Sequence, residues 1–123
     1  MIGASIPLLR RGQIVTVSLD PAVGSEAAKT RPAVIVSNNA ANAITSRSGR
    51  GTVTVVPLTS NVNVVHPFQV RLPAVETGLP QDSKAQAEQV RTVAAERIVA
   101  PIGWVPAELM GGIDEALRVH LSL

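Results

Sequence analysis

The chain has 123 residues, a length that fits one ordinary domain and leaves little room for a second. Hydrophobic residues make up 46% of the sequence and charged residues 16%, which excludes a disordered chain. Cysteine is absent and histidine occurs twice, which excludes disulfides and thiol catalysis and disfavours a zinc site. The apolar start is short and lacks the charged region of a signal peptide, and no run reaches transmembrane length. The sequence therefore predicts a cytoplasmic protein with no membrane span.

Charge is distributed unevenly along the chain, although the net charge is only +2. Residues 1–81 carry seven basic and three acidic side chains, for a net charge of +4, whereas residues 82–123 carry four basic and six acidic ones. A basic first part fits an anionic partner held on one face. Many basic proteins bind no such partner, so the charge alone does not decide the function.

The first half of the chain contains the patterns of two strands and two loops. Alternating apolar residues predict a half-buried strand over Gln13–Asp20. Small residues indicate a loop over Pro21–Thr30, and the β-branched run in Arg31–Ser37 predicts a buried strand. The polar stretch Asn38–Gly51 predicts a mobile loop.

The second half begins with two further strands, predicted over Thr52–Leu58 and Phe68–Leu72. Glycine and two prolines predict a turn over Pro73–Gln81. The segment Lys84–Val93 fits either a helix or a strand, and its β-branched residues favour the strand. Ala94–Ile98 is typical of a single helical turn.

The tail shows the pattern of one C-terminal helix that begins near Pro106, because leucine or isoleucine recurs every four residues from Leu109 to Leu121. The pair Gly111–Gly112 costs about 2 kcal/mol relative to alanine, so the helix is interrupted there or the glycines permit a close contact. About five short strands and one final helix predict a mainly β domain over residues 1–123, a small partly open barrel. We expect residues 1–9 to form a flexible N-terminal extension.

Polar side chains that suit a phosphate or a base edge gather at the predicted strand ends. They are Ser25, Glu26, Lys29 and Arg31 around the second strand, Thr59, Ser60 and Asn61 after the third, and Glu88, Gln89 and Arg91 on a late strand. Because Pro32 keeps the preceding residue extended, the Arg31 guanidinium should project from the start of its strand. Arginine suits phosphate since its flat fork donates two hydrogen bonds and keeps its charge.

Each of these groups also has a structural interpretation. Arg31 could pair with Glu26, Thr59–Asn61 could be turn chemistry, and Glu88 and Arg91 could be solvated strand residues. The sequence has no dinucleotide-binding motif, phosphate-binding loop, zinc-protease motif or serine–histidine–aspartate arrangement. The residues by themselves leave both interpretations of the set open.

Seven short motifs share their order and spacing with a known family from about residue 10 to the C-terminus. They are Arg10–Val15, Leu19–Pro21, Gly24–Glu26, Lys29–Val34, Val56–Asn61, Pro67–Phe68 and Glu88–Thr92. Together they resemble the MazF/PemK toxin family. The resemblance implies an SH3-like barrel of the CcdB/PemK type, a homodimer, and metal-independent, sequence-specific cleavage of single-stranded RNA without a cofactor. It also implies a cognate MazE-like antitoxin whose acidic flexible tail covers the RNA groove.

The resemblance assigns roles to individual positions. It implies that Arg31 of the R-P-A-V motif and Thr59 of the P-x-T motif form the catalytic centre, with the 2′-OH of the RNA as nucleophile. Glu26 lies in the neighbouring loop and is the candidate general base. The candidates for substrate contact are Ser60, Glu88 and Gln89, which match family positions, and Ser25, Lys29 and Asn61 at the strand ends. No residue is assigned to a metal.

Two positions depart from the family pattern, which commonly has tryptophan and aspartate where Thr16 and Ser18 stand here. Substrate choice could therefore differ, whereas the pair of Arg31 and Thr59 is intact. Two other functions stay open. The same barrel could bind nucleic acid or poison a gyrase without cleaving RNA, or it could be a structural oligomerisation module.

Overall fold

The computed structural model describes residues 8–123, which form an antiparallel sheet covered on one face by a C-terminal helix. The strands are β1 Gln13–Ser18, β2 Thr30–Ile35, β3 Thr52–Thr59, β4 Gln69–Leu72, β5 Ser83–Gln86, β6 Arg91–Ala94 and β7 Ile98–Trp104. The helices are α1 Asn39–Ser48, α2 Ala74–Thr77 and α3 Ala107–Leu121. Two short 3-10 turns, Ala87–Gln89 and Ala95–Arg97, flank β6.

The sheet runs in the order β4-β5-β3-β2-β1-β7, and β6 also pairs with β3. The long β3 strand joins the two parts of the sheet, because Thr52–Val55 pairs with β6 while Leu58 and Thr59 pair with β5. The strands at the two ends of this order do not pair with each other in the described part of the chain, so the barrel is open. The predicted fold class, a mainly β partly open barrel with a C-terminal helix, is confirmed.

Both faces of the sheet are apolar, because successive side chains of a strand point to opposite sides. On one face Val15, Val17, Ala33, Ile35 and Val55 belong to a core inside the curved sheet. The core of the other face, which lies under α3, contains Ile14, Val34, Val56, Leu58 and Ile113. Burial on two sides explains why the central strands contain such dense β-branched runs.

A helix stands where the sequence predicted a loop over Asn38–Gly51, so that prediction was wrong. The side chain of Asn38 caps α1 by accepting the N–H of Ala41 at 2.8 Å. Gly49 ends α1 in a left-handed conformation with φ 72°, and its N–H donates to the Thr45 carbonyl. Asn42 is fully buried and bonds both the hydroxyl and the carbonyl of Ser37. Capping and the two hydrogen bonds of one buried side chain therefore hold a helix whose polar composition indicated a loop.

The C-terminal third differs from the prediction in two places. The predicted strand Lys84–Val93 is split into β5 and β6 by the turn Ala87–Gln89, and β7 follows where no strand was predicted. The predicted helical turn over Ala94–Ile98 is confirmed as Ala95–Arg97. A short helix, α2, lies within the predicted turn Pro73–Gln81.

The final helix begins after Pro106, as predicted, and continues through both glycines without interruption. A Cβ at Gly112 would lie 3.5 Å from Val70 Cγ1, so this glycine packs closely against β4.

In the described part of the chain, none of the helices combines the length and the apolar character needed to cross a membrane.

Residues 1–7 of the predicted N-terminal extension lie outside the described residues. Leu9 does not behave as part of an extension, because it is 1% exposed and its N–H donates to Ser46 Oγ at 2.9 Å. The packed fold therefore begins by Leu9.

Candidate active site

The first depression, which we name the cleft, forms where β2 begins and β3 ends. Ala33 pairs with Pro57, and continuing this antiparallel register by two residues places Arg31 opposite Thr59. The cleft has a volume of about 280 Å³. Its lining residues are Lys29, Thr30, Arg31, Pro32, Leu58, Thr59, Ser60, Leu79, Pro80, Gln81 and Ser83. The structure thus brings together the two residues predicted as the catalytic centre.

Arg31 is half-buried, and its guanidinium is anchored at one atom. Nε donates to the carbonyl oxygen of Ala28 at 2.9 Å. Within residues 8–123 the terminal amino groups of Arg31 form no salt bridge, and the suggested pair with Glu26 is not formed. The carboxylate of Glu26 instead accepts the N–H of Val23 at 2.6 Å. Arg31 therefore keeps donors available for a ligand in the cleft.

Thr59 Oγ1 accepts the backbone N–H of Asn61 at 3.3 Å. A hydroxyl that accepts one hydrogen bond still has its own proton to donate. Lys29, two residues before Arg31, also lines the cleft; it has a left-handed conformation with φ 65°, and its N–H donates to Asp20 Oδ1 at 2.7 Å. The charged side chains that line the cleft, Lys29 and Arg31, are both cationic, which suits a phosphate group.

The far wall of the cleft comes from the segment between α2 and β5, for which the sequence predicted only a turn. This segment is fixed by Asp82, whose Oδ1 accepts the N–H of Ala74 at 2.8 Å and whose Oδ2 accepts from Arg71 Nη2 at 3.0 Å. The Ala74 N–H and then the Arg71 guanidinium lower the pKa of Asp82 below its usual 3.8. No local signal marks the wall as part of a site, because its place depends on the pairing of β5 with β3.

Lys84 supports the site from β5, although no sequence motif marks it. It pairs with Thr59 across β3 and β5, so the two side chains leave the same face of the sheet. Lys84 is only 8% exposed, and its Nζ donates to the carbonyl of Val64 in the segment between β3 and β4. This contact ties down the segment that leads away from Thr59.

A second depression contains another part of the predicted set. It is lined by Glu26, Glu88, Gln89, Val90, Arg91 and Thr92. Glu88 Oε2 accepts from Gln69 Nε2 at 2.7 Å, whereas Glu88 Oε1 is buried and has no hydrogen-bond partner in the described part of the chain. Glu26 lines this depression and not the cleft, so the structure does not bring the predicted general base to Arg31 and Thr59.

The remaining predicted contacts divide between the two regions. Ser60 lines the cleft together with Lys29, whereas Ser25 and Asn61 are exposed and line neither depression. Gln89 is engaged within the protein: its Oε1 accepts the N–H of Ala27 at 3.0 Å, and its Nε2 donates to the Ser25 carbonyl at 3.1 Å.

The two departures from the family pattern lie on β1. Thr16 pairs with Pro32 and Ser18 pairs with Thr30, and neither lines a depression. Among residues 8–123, no group of three or more histidine, aspartate or glutamate side chains is arranged to hold a metal ion.

The chain is therefore a small open barrel with one C-terminal helix. Its cleft combines cations with hydroxyl groups, which is the chemistry of a site for an anion. Comparison with protein families makes this specific: residues 10–121 match the PemK-like, MazF-like toxins of type II toxin–antitoxin systems. The chain belongs to this family, and the resemblance predicted from its motifs is confirmed.

Individual relatives agree along nearly the whole chain. Endoribonuclease MazF9 of Mycobacterium tuberculosis is 58% identical over 116 residues, which cover 94% of this chain and 98% of that protein. The crystal structure of MazF (Form-I) from Deinococcus radiodurans matches with a TM-score of 0.77 and 26% identity, covering 96% of this chain and 98% of the other. An endoribonuclease in complex with its cognate antitoxin, from a mycobacterial species, matches with a TM-score of 0.74 and 26% identity over 94% and 96% of the two chains.

Proposed function

We propose that this chain is an endoribonuclease, the toxin of a type II toxin–antitoxin pair, and that it cleaves single-stranded RNA in the cleft. Membership of the family and the endoribonucleases among its relatives support the general activity. One structural observation carries the assignment of the catalytic centre: Arg31 and Thr59 meet in one cleft, each with a hydrogen-bond donor available to a ligand.

The proposed reaction uses the 2′-OH of the substrate as nucleophile, so it requires no metal-bound water. The 2′ oxygen forms a bond to the adjacent phosphorus while the bond from phosphorus to the 5′ oxygen breaks. The 2′-OH loses its proton and the leaving 5′ oxygen gains one, which produces a 2′,3′-cyclic phosphate and a 5′-hydroxyl. The transition state carries extra negative charge on the phosphoryl oxygens. Arg31 stabilises this charge, an effect that usually contributes most to rate acceleration by enzymes, and the Thr59 hydroxyl donates a further hydrogen bond.

The proton transfers are not assigned to Glu26 in the described conformation. Its carboxylate lines the second depression and caps its own turn at Val23. A role as general base would require the loop between β1 and β2 to carry Glu26 into the cleft.

We assign sequence specificity to contacts with the RNA bases in the second depression, and phosphate binding to residues of the cleft. In the proposed complex Lys29 and Ser60 bind phosphates beside the cleaved bond. Glu88 lines the second depression, where its carboxylate would accept a hydrogen bond from the amino group of an exposed base such as cytosine. Single-stranded RNA suits this arrangement because its unstacked bases expose their edges.

Two protein partners follow from the family. We propose a homodimer, whose formation would cover apolar side chains that the single chain leaves exposed, among them Val99, Ile102 and Trp104 on β7. We also propose a MazE-like antitoxin with an acidic flexible tail, because the cleft is lined by cations and a structural relative is bound to its cognate antitoxin.

The decisive experiment is incubation of the purified protein with a long single-stranded RNA in excess EDTA, followed by analysis of the product ends. We expect cleavage that leaves 2′,3′-cyclic phosphate and 5′-hydroxyl ends. A matched RNA with a 2′-deoxy nucleotide at a mapped site should resist cleavage at that site only. Products with 5′-phosphates, or activity that disappears in EDTA, would contradict the mechanism. Binding without cleavage would favour the non-cleaving nucleic-acid-binding barrel.

A further inference from the structure

Gln89 is hydrogen-bonded at both ends of its amide to the backbone of the loop between β1 and β2. Oε1 accepts the N–H of Ala27 at 3.0 Å, and Nε2 donates to the Ser25 carbonyl at 3.1 Å. These contacts join residues that are 62 and 64 positions apart in the chain. Because one planar amide makes both bonds, it fixes the position and the direction of this part of the loop.

The carbonyl that holds Arg31 lies two peptide units further along the loop. The carbonyl of Ala28, directly after Ala27, accepts from Arg31 Nε at 2.9 Å. Nε belongs to the planar guanidinium, so a hydrogen bond at this atom sets the plane in which the terminal amino groups point. Two successive contacts therefore lead from Gln89 through the loop backbone to Arg31.

The base of the same loop is fixed by other residues. The N–H of Leu19 donates to the Lys29 carbonyl at 2.8 Å, and the N–H of Lys29 donates to Asp20 Oδ1 at 2.7 Å. Arg97 Nη1 donates to the carbonyl of Asp20 at 2.7 Å. The peptide between Ala28 and Lys29, whose carbonyl holds Arg31, is therefore held from two sides: by Gln89 through Ala27, and by Asp20 through the Lys29 N–H. Loss of the Gln89 amide should leave this peptide with only the second anchor.

We infer that Gln89 is a positioning residue, which orients the guanidinium of Arg31 through Ala27 and Ala28 and does not act by contacting RNA. The catalytic part of this inference rests on the proposed function, whereas the contact between Gln89 and the loop does not. A displacement of a catalytic group by about 1 Å can lower a rate about 10²-fold, so the geometry of this loop matters for the reaction.

Two variants separate the contacts. Gln89→Met has a similar length but neither donor nor acceptor, whereas Gln89→Glu keeps an oxygen that can accept from Ala27. Amide hydrogen exchange in the free protein should be about tenfold faster at Ala27 in Gln89→Met, while Gln89→Glu should keep most of the protection. The amide of Leu19, which donates to the Lys29 carbonyl at the base of the loop, is the internal control and should not change. The Nε–H resonance of Arg31 should shift in Gln89→Met.

Kinetics then distinguish positioning from RNA contact. In Gln89→Met we expect kcat to fall about 10- to 100-fold, while the Kd for an uncleavable 2′-deoxy RNA stays within about twofold. Arg31→Lys lacks the Nε–H, so Gln89→Met should lower kcat no further in that background.

Two results would overturn the inference. One is unchanged exchange at Ala27 in Gln89→Met. The other is a raised Kd for the uncleavable RNA with an unchanged kcat, which would show direct contact. A wild-type protein that cleaves no RNA would refute the proposed function, whereas exchange at Ala27 and the Arg31 resonance would still test the positioning contact.

Discussion

Arg31 stands opposite Thr59 on neighbouring antiparallel strands, because Ala33 pairs with Pro57 and each strand continues by two residues towards the same end of the barrel. The two side chains consequently leave one face of the sheet and line one cleft. The pairing of β2 with β3 therefore fixes the relative position of the cation and the hydroxyl that we propose to be catalytic. Reactivity and folding can be separated experimentally, since neither side chain belongs to the apolar cores.

Replacement of Arg31 by alanine should abolish RNA cleavage and leave the fold intact. In the proposed mechanism the guanidinium supplies the charge that stabilises the transition state, so we expect a loss of at least about 10³-fold in kcat. Arg50→Ala is the matched control, because Arg50 is exposed, lines neither depression and carries the same charge. Cleavage rates and circular dichroism of both variants test this. An unfolded Arg31→Ala protein would show that Arg31 is structural instead.

Replacement of Thr59 by alanine should lower kcat less than the loss of Arg31, by about 10²-fold, because it removes one donor and no charge. Thr59→Ser keeps the hydroxyl and should recover most of the activity. Thr59→Val keeps the shape without the hydroxyl and should resemble Thr59→Ala. Equal activity of the serine and valine variants in single-turnover cleavage would argue that the hydroxyl has no role.

The parts of the fold that local patterns specify were predictable from the sequence. Alternation and β-branched runs located β1, β2 and β3, and the apolar repeat located α3, because these elements bury a regular face. Helix α1 could not be predicted from its composition, since the cap at Asn38 and the buried bonds of Asn42 stabilise it.

Strand β7 was missed for a different reason. Its side chains Val99, Ile102 and Trp104 are exposed, so it lacks the alternating buried face by which strands are recognised. It also contains Gly103, where a Cβ would clash with the Thr77 carbonyl oxygen. Glycine is uncommon inside strands, so Gly103 weakens the sequence pattern that predicts one. The structure nevertheless requires glycine at this position, because α2 approaches the backbone closely.

The candidate site was predictable as a set of residues but not as an arrangement. Arg31 and Thr59 were found through motifs, whereas the contributions of Lys84 and the wall over residues 79–83 depend on the pairing of β5 with β3. Glu26 is five residues from Arg31 in sequence, yet the loop directs the two side chains into different depressions. Proximity along the chain was therefore a poor guide within this loop.

Asp82 should make the stability of the cleft wall depend on pH. The Ala74 N–H and Arg71 lower the pKa of Asp82 below 3.8 in the folded protein, so the ionised form stabilises the fold. This contribution should be complete above the unfolded pKa of about 3.9 and should be lost as the pH falls through the lower folded pKa. The difference in unfolding free energy between wild type and Asp82→Ala, measured in urea, should shrink over that range. A difference that stays constant down to pH 2 would contradict the ion pair and cap.

The protein should be a homodimer at micromolar concentration, because the exposed apolar residues of β7 lie on an edge strand that a second copy could cover. Light scattering should give twice the mass of one chain. Trp104 is the only tryptophan and is 53% exposed in the single chain, so its fluorescence should shift to the blue as the dimer forms on concentration. A monomeric mass would contradict the dimer, and a dimer with unchanged fluorescence would place the interface away from β7.

An acidic peptide with the sequence of the antitoxin tail should compete with RNA for the cleft. Within residues 8–123 the lining of the cleft contains the cations Lys29 and Arg31 and no carboxylate, so carboxylates of the peptide can occupy the positions that phosphates take. A peptide of equal length with amides in place of its acidic side chains is the matched control and should compete far less.

Higher salt should weaken the complex only in part, because screening acts on exposed charges and leaves buried apolar contacts intact. The Arg31→Ala variant should lose affinity for the acidic peptide but not for the control. If RNA and the acidic peptide bind at the same time in a titration, the antitoxin acts elsewhere and the cleft around Arg31 and Thr59 is not the shared site.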